Sequence, residues 1–293
     1  MPESVVELVD LLDLEEIEVG LFRARQPKTS LQRVFGGQVL AQGLVAAGRT
    51  VPEDRKLHSM HGYFIRPGRT DLPIVFDVET IRDGRTFSAR RAVARQGGEV
   101  IFFASSSYHT PEEGVEHADV APTGVPAPED CPTLTEVLSR ASGRPASLWE
   151  REWGALEVRY IGDSRPPKGA LMDPAHPARG RVWIRTSGSL GDDPRQHQSA
   201  LAYASDLTLL SASTTPHGLI IGLNVQAASL DHAMWFHRPF RADQWLLYDQ
   251  VSPSASGALG LSTARLFQDG RLVCTVAQEG LIRPLRGAAG GDD

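Results

Sequence analysis

Two stretches set 172 residues apart constrain this chain more than any other feature. Residues 58–68 read His-Ser-Met-His-Gly-Tyr-Phe-Ile-Arg-Pro-Gly, and residues 229–240 read Ser-Leu-Asp-His-Ala-Met-Trp-Phe-His-Arg-Pro-Phe. Aligning Arg66-Pro67 with Arg238-Pro239 also lays Tyr248-Asp249 on Phe76-Asp77, and the run from Gly270 on the run from Gly98. One order of segments occurring twice predicts two tandem copies of one small fold. The competing reading is two unrelated strands that both end in Arg-Pro. At 293 residues the chain is long enough for two domains of ordinary size.

Local patterns fill in each copy. Apolar residues at 5, 8, 9, 11 and 12 predict a short amphipathic helix, with Ser4 and Glu7 at capping-box spacing. Residues 17–22 alternate and predict a strand. The run 35–48 is rich in alanine and nearly uncharged, which predicts a helix buried on most sides and ended by Gly48. Strands are expected at 57–65, 73–81, 87–95 and 100–108, with Gly97-Gly98 as the last turn. From 110 to 145 six prolines and several acids mark a connector, helical only at 134–141. The second copy opens with strands at 155–160 and 181–186. Asp193-Pro194 then starts a helix expected to reach about Leu210. Strands at 227–237, 244–251, 258–267 and 271–282 follow, matching the first copy in order.

Composition narrows the class. The net charge of −6 offers nothing to attract nucleic acid or an anionic membrane. Arg82, Arg85, Arg90, Arg91 and Arg95 do cluster, and are expected on a solvated outer face of a strand pair. Two cysteines cannot form a disulfide framework. No apolar run approaches the ~20 residues of a membrane span. The acidic start, without a basic segment and apolar core, leads to the expectation of a reduced, cytoplasmic setting.

Two polar residues interrupt otherwise apolar surfaces, and a third, Ser229, is ambiguous. On the second copy's helix, the neighbours of Asp206 at three and four residues are Ala202, Tyr203, Leu209 and Leu210. An acid in that stripe is either functional, at a helix end, or paired with an arginine from elsewhere. Period two along 271–283 puts Leu272, Cys274, Val276, Gln278 and Ile282 on one face, so Gln278 should point at the helix. It is either functional or a core amide satisfying nearby backbone. Ser229 alternates with Asp231 and His237, and can face the helix only before a bulge or at a strand start. Ser229, Asp231 and His232 spell a hydrolase triad, but neighbouring strand residues point to opposite faces. No Gly-x-Ser-x-Gly elbow or phosphate-binding loop occurs, and no Cys/His cluster has metal spacing. His58, His61, His232 and His237 are read as packed or capping residues.

With these residues in place, the chain resembles the acyl-CoA thioesterase II family. The resemblance rests on Val34-Phe-Gly-Gly-Gln-Val39, the two Arg-Pro stretches, the run from Asp83 to Arg91, Tyr203-Ala-Ser-Asp-Leu207, Trp245-Leu-Leu-Tyr248 and Gln278-Glu-Gly280. It spans about residues 5–285. It implies an α+β double hotdog, in which two tandem copies of a long helix are each wrapped by an antiparallel sheet. The copies would occupy 1–110 and 150–285, joined by a Pro-rich linker at 111–149 and followed by a flexible tail at 286–293. The implied activity is hydrolysis of fatty acyl-CoA to free acid and CoA, with no cofactor and no metal. The family's catalytic Asp, Thr or Ser, and Gln fall on Asp206, Ser229 and Gln278, which would hold and activate one water. Gly36-Gly37 is the suggested source of oxyanion donors. Residues 35–50 carry no carboxylate, so one site per chain is expected. Homo-dimers or homo-tetramers are the implied assembly. A hotdog hydratase or dehydratase would need an Asp/His pair at helical spacing, and neither helix has one. A non-catalytic acyl-CoA binder is the remaining alternative, against which all three polar groups stand.

Overall fold

The computed structural model describes residues 1–167 and 169–285; the segment 286–293, expected as a tail, lies outside the described residues. In chain order, α1 (Val5–Leu12) leads into β1 (Glu15–Glu18) and β2 (Leu21–Ala24). Helix α2 (Gly36–Arg49) follows, then β3 (Lys56–Phe64), β4 (Ile74–Asp83), β5 (Phe87–Gln96) and β6 (Glu99–His109). The connector carries α3 (Leu134–Ser142) and α4 (Ala146–Trp153). Next come β7 (Leu156–Asp163), β8 (Arg179–Thr186) and α5 (Pro194–Ser205). The last strands are β9 (Val225–Ser229), β10 (Asp231–Phe236), β11 (Leu246–Ser256), β12 (Leu259–Gln268) and β13 (Arg271–Pro284).

Among the described residues these strands form one sheet, in the order β1-β2-β4-β5-β6-β3-β10-β13-β12-β11-β8-β7, with β9 on β13. Outward from the β3–β10 seam, the same succession of roles is met on either side. The registers repeat as well. Phe76 pairs with Ala94 as Tyr248 pairs with Leu266, and Ala92 with Ala104 as Ala264 with Val276. At the seam Ala233 faces His61, with Asp231 opposite Tyr63 and Trp235 opposite Ser59. Each of these positions lies 172 residues from its counterpart, so the seam has a local two-fold axis through the His61–Ala233 pair.

Helix α2 lies against α5 and against strands β2 to β6 of the sheet, with ten of its fourteen residues buried. Both of its buried amides donate, Gln38 Nε2 to Gln26 Oε1 (3.0 Å) and Gln42 Nε2 to the Leu11 carbonyl (2.9 Å), while Gln38 Oε1 finds no partner among the described residues. The Gly97-Gly98 turn forms as expected, both residues having positive φ.

Several local expectations are corrected. The single strand at 17–22 is a hairpin, because Gly20 takes a positive φ between β1 and β2. Helix α2 runs through Gly48, and α4 was not foreseen. Leu272 leaves the face of Gln278, because a bulge between Leu266 and Phe267 shifts the register. It packs with Leu247 and Phe267 under Ala121 and Val125 of the connector. Arg90 is not on a solvated face but 1% exposed. It donates to the carbonyl of Thr50 (2.8 Å) at the C-terminal end of α2, and pairs with Asp83 at 2.9 Å. That places a cation where the helix dipole favours one. Arg90→Met should therefore strand the Thr50 carbonyl and cost about 3 kcal/mol, read as a lower urea midpoint at unchanged m-value. A midpoint equal to wild type would assign this arginine no such role.

Candidate active site

Asp193 opens α5, its carboxylate accepting from the Arg195 N–H (2.9 Å), with Pro194 in the first turn. The helix stops at Ser205 rather than at about Leu210. Asp206 is its C-terminal cap, and a 3₁₀ turn at Leu209–Ser213 carries the chain away. Asp206 is thus an acid at a helix end, but its side chain is only 5% exposed. The strand expected at 227–237 is broken at Leu230. Ser229 pairs with Gly280 while Ala233 pairs with Ala277, one residue out of step. The side chain of Asp231 fills this bulge, accepting from the Glu279 N–H at 2.7 Å. The extra residue turns the Ser229 hydroxyl toward α5, the condition its spacing demanded.

The three sequence candidates meet. Ser229 Oγ donates to Asp206 Oδ1 at 3.0 Å. Gln278 Nε2 donates to Ser229 Oγ at 2.8 Å and also to Asp206 Oδ1. Gln278 is fully buried, on β13 behind the other two. A fourth contact comes from the other helix, where the Gly37 N–H donates to the Asp206 carboxylate. Only glycine allows that approach. A Cβ on Gly36 would sit 2.5 Å from Asp206 Oδ2, and one on Gly37 2.3 Å from the Tyr203 carbonyl. The N-terminus of α2, with its partial positive charge, is therefore aimed at Asp206. The Gly37 N–H, suggested as an oxyanion donor, is already engaged there.

Burial pushes the Asp206 carboxyl up to about 6, although the donors Gln278, Ser229 and Gly37 each pull it down. His232 is also sealed, and burial pushes its imidazole down to about 3, so it is neutral. Its Nδ1 lies 3.9 Å from Asp206 Oδ1, and its Nε2 2.9 Å from Ser205 Oγ. Ser, His and Asp thus stand in line after all, but not as a nucleophilic triad. Ser205 is fully buried, and its Oγ is also 3.0 Å from the carbonyl of Ala202. His58 is bonded instead to Ser107 (2.8 Å) and His237 to Thr275 (2.8 Å). No group of three metal-ligating side chains occurs among the described residues.

Asp206 and Ser229 open onto a cavity of about 1140 Å³. Gly36, Phe64, Leu207 and Leu230 line it as well. Helices α3 and α4 supply another part of its wall, including Trp149 and Trp153. Sequence reasoning did not foresee that wall, although two tryptophans four residues apart were a signal for a helix with an apolar face.

Comparison with known proteins gives the family. The acyl-CoA thioesterase family profile matches residues 166–281, and the profile for the acyl-CoA thioesterase N-terminal domain matches 25–109. Acyl-CoA thioesterase 2 of Haemophilus influenzae is 38% identical over 288 residues, covering 97% of this chain and 99% of its own. The crystal structure of an acyl-CoA thioesterase II from Mycobacterium marinum superposes with a TM-score of 0.79 at 42% identity, covering 95% of this chain and 98% of that one. A hotdog-fold protein from Alicyclobacillus acidocaldarius matches at a TM-score of 0.75, covering 94% and 98%; at 22% identity it speaks for the hotdog fold alone. By sequence and by fold, the chain belongs to the acyl-CoA thioesterase II family.

Proposed function

We propose that this protein hydrolyses fatty acyl-CoA to the free acid and CoA, by direct attack of one water that Asp206 activates. The observation that carries the reading is the convergence of Asp206, Ser229 and Gln278 at the edge of a large cavity whose lining is mostly apolar. Above about pH 6 the carboxylate is ionised and ready to accept a proton. That basicity suits work near neutrality far better than an unshifted aspartate at about 3.9. Ser229 orients the water and Gln278 braces Ser229 and Asp206 together. As the water oxygen bonds to the thioester carbon, its proton passes to Asp206. The tetrahedral intermediate then expels CoA as thiolate, which recovers a proton from Asp206. The developing oxyanion gains from the positive end of α2, whose first residue, Gly36, lines the cavity.

In the same proposal the fold is a double hotdog, with copies at 1–110 and 150–285 joined by the linker at 111–149. The symmetric strand order and the recurring 172-residue offset support it. A cytoplasmic setting and assembly into dimers or tetramers belong to the proposal too, the latter tested by sedimentation. No helix among the described residues is long and apolar enough to cross a membrane.

Release of free thiol from acyl-CoA tests the activity directly. Its pH dependence tests the base. The value of kcat/KM should rise as pH climbs through about 6 and then level off, because only ionised Asp206 can take the proton. Following loss of thioester absorbance keeps the assay usable in acid. A profile flat down to about pH 4 would point to a base other than this one.

A further inference from the structure

We propose that α3 and α4 of the connector form a wall of the acyl-chain channel, and that Val137, Leu138 and Trp149 limit the length of chain admitted. The proposal rests on the thioesterase reading above and deepens it.

At about 1140 Å³ the cavity exceeds the roughly 300–1,000 Å³ of most small-molecule sites. It therefore has room for more than a reacting thioester. Leu134, Val137, Leu138 and Ala141 follow one another at i, i+3, i+4 and i+7, so α3 carries a single apolar stripe, and all four line the cavity. Neither α3 nor α4 contains a fully buried residue. Leu134 and Trp153 pack against the margin of the main core. Val137, Leu138 and Trp149 belong to neither apolar cluster, yet they too face the cavity. Val137, Leu138 and Trp149 are only partly buried, so the stripe keeps apolar surface that an apolar ligand would favourably cover. In an acyl-CoA the one long apolar part is the acyl chain, since the remainder is mainly amide, phosphate, sugar and adenine. The reacting carbon must sit beside Asp206 and Ser229, which open on the same cavity, so the chain has to run from there along its walls.

The wall is anchored rather than loose. The Tyr160 N–H donates to the Pro132 carbonyl at 2.8 Å, and Thr133 bridges to Arg159, which ties the start of α3 to the edge strand β7. Thr133 and Glu136 close a capping box on the same turn. A wall held this way can discriminate. Each methylene transferred from water to an apolar surface favours binding by roughly fourfold, until the chain meets side chains that cannot give way.

The test compares wild type, Leu138→Trp and Leu138→Ala on saturated acyl-CoA substrates from butanoyl to stearoyl, reading kcat/KM by thiol release. Leu138→Trp should lower the ratio of palmitoyl to hexanoyl hydrolysis by about tenfold or more, as overpacking does at a filled site. Leu138→Ala should raise that ratio and move the preferred length upward. If both variants keep the wild-type ratio while remaining active, the wall does not read chain length and the proposal falls. If the tryptophan variant fails to fold, the alanine variant decides alone. A wild type that releases no thiol at any length sinks the thioesterase reading and this inference with it, a result distinct from an unchanged ratio.

Discussion

Asp206→Asn should lower turnover by about 10²–10⁴, the usual worth of a positioned general base, while making the protein more stable at pH 8. Both effects come from one environment. Asn is isosteric, and its amide oxygen can still accept from Ser229 and Gln278, but it cannot take a proton from water. For stability the sign follows from the direction of the shift. Burial raises the folded carboxyl from its ordinary 3.8 to about 6, so its favourable contribution is complete below pH 3.8 and is lost as pH rises through 6. Two units correspond to about 3 kcal/mol of cost at pH 8. Asn escapes that cost but sets an N–H toward the Gly37 donor, giving back about 1 kcal/mol. A net gain of about 2 kcal/mol is expected at pH 8, shrinking toward zero or below near pH 4. Denaturant titrations of both proteins at the two pH values check it. Parallel changes with pH in the two proteins would refute the raised pKa. Near-normal turnover in the variant would move the base elsewhere, and His232, 3.9 Å from the carboxylate, would be the next to test.

This coupling of activity and instability explains why Asp206 was visible in the sequence at all. A carboxylate among Ala202, Tyr203, Leu209 and Leu210 breaks the binary pattern of a buried helix, and such a breach has to be compensated by partners. Gln278 was legible for the same reason, because an amide interrupts the alternation of β13. The strand order was legible too, since the Arg-Pro stretches, the glycine turns and the aspartates at 77 and 249 keep one spacing. What stayed hidden depends on contacts made across the fold. Ser229 could not be oriented from period two, because the bulge that turns it is held by Asp231 on the Glu279 N–H. Helix α5 could not be ended correctly, because apolar Leu209 and Leu210 extend the helical period while the chain turns at Asp206 to meet α2. Arg90 looked like one of several surface cations. Its burial follows from the carbonyl of Thr50, forty residues away. Helix α4 was masked by the Pro-rich connector that leads into it, and with it part of the cavity wall.

Ser229 separates water attack from a covalent route. Its hydroxyl donates to Asp206 and accepts from Gln278, an arrangement equally at home in a water-orienting residue and in an aspartate-activated nucleophile. The strength of the base does not decide between them, because water and an alkyl hydroxyl are comparably weak acids. The imidazole does: the one that serves elsewhere as intermediary is bonded here to Ser205 instead of Ser229. Ser229→Ala should then lower kcat by about 10²–10³, the cost of losing one well-placed donor in the transition state. Ser229→Thr should stay within about tenfold of wild type, since it restores the hydroxyl on a β-branched frame that suits a strand. A nucleophile would tolerate the exchange far less, because the added methyl lies beside the attacking oxygen. Rapid mixing with a slow acyl-CoA, followed by intact-mass measurement, gives an independent reading. Water attack leaves the protein mass unchanged at every time point. An acyl adduct on Ser229 that forms and decays at the rate of turnover would replace the activated water with an acyl-enzyme, and would leave Asp206 and Gln278 the task of activating the serine.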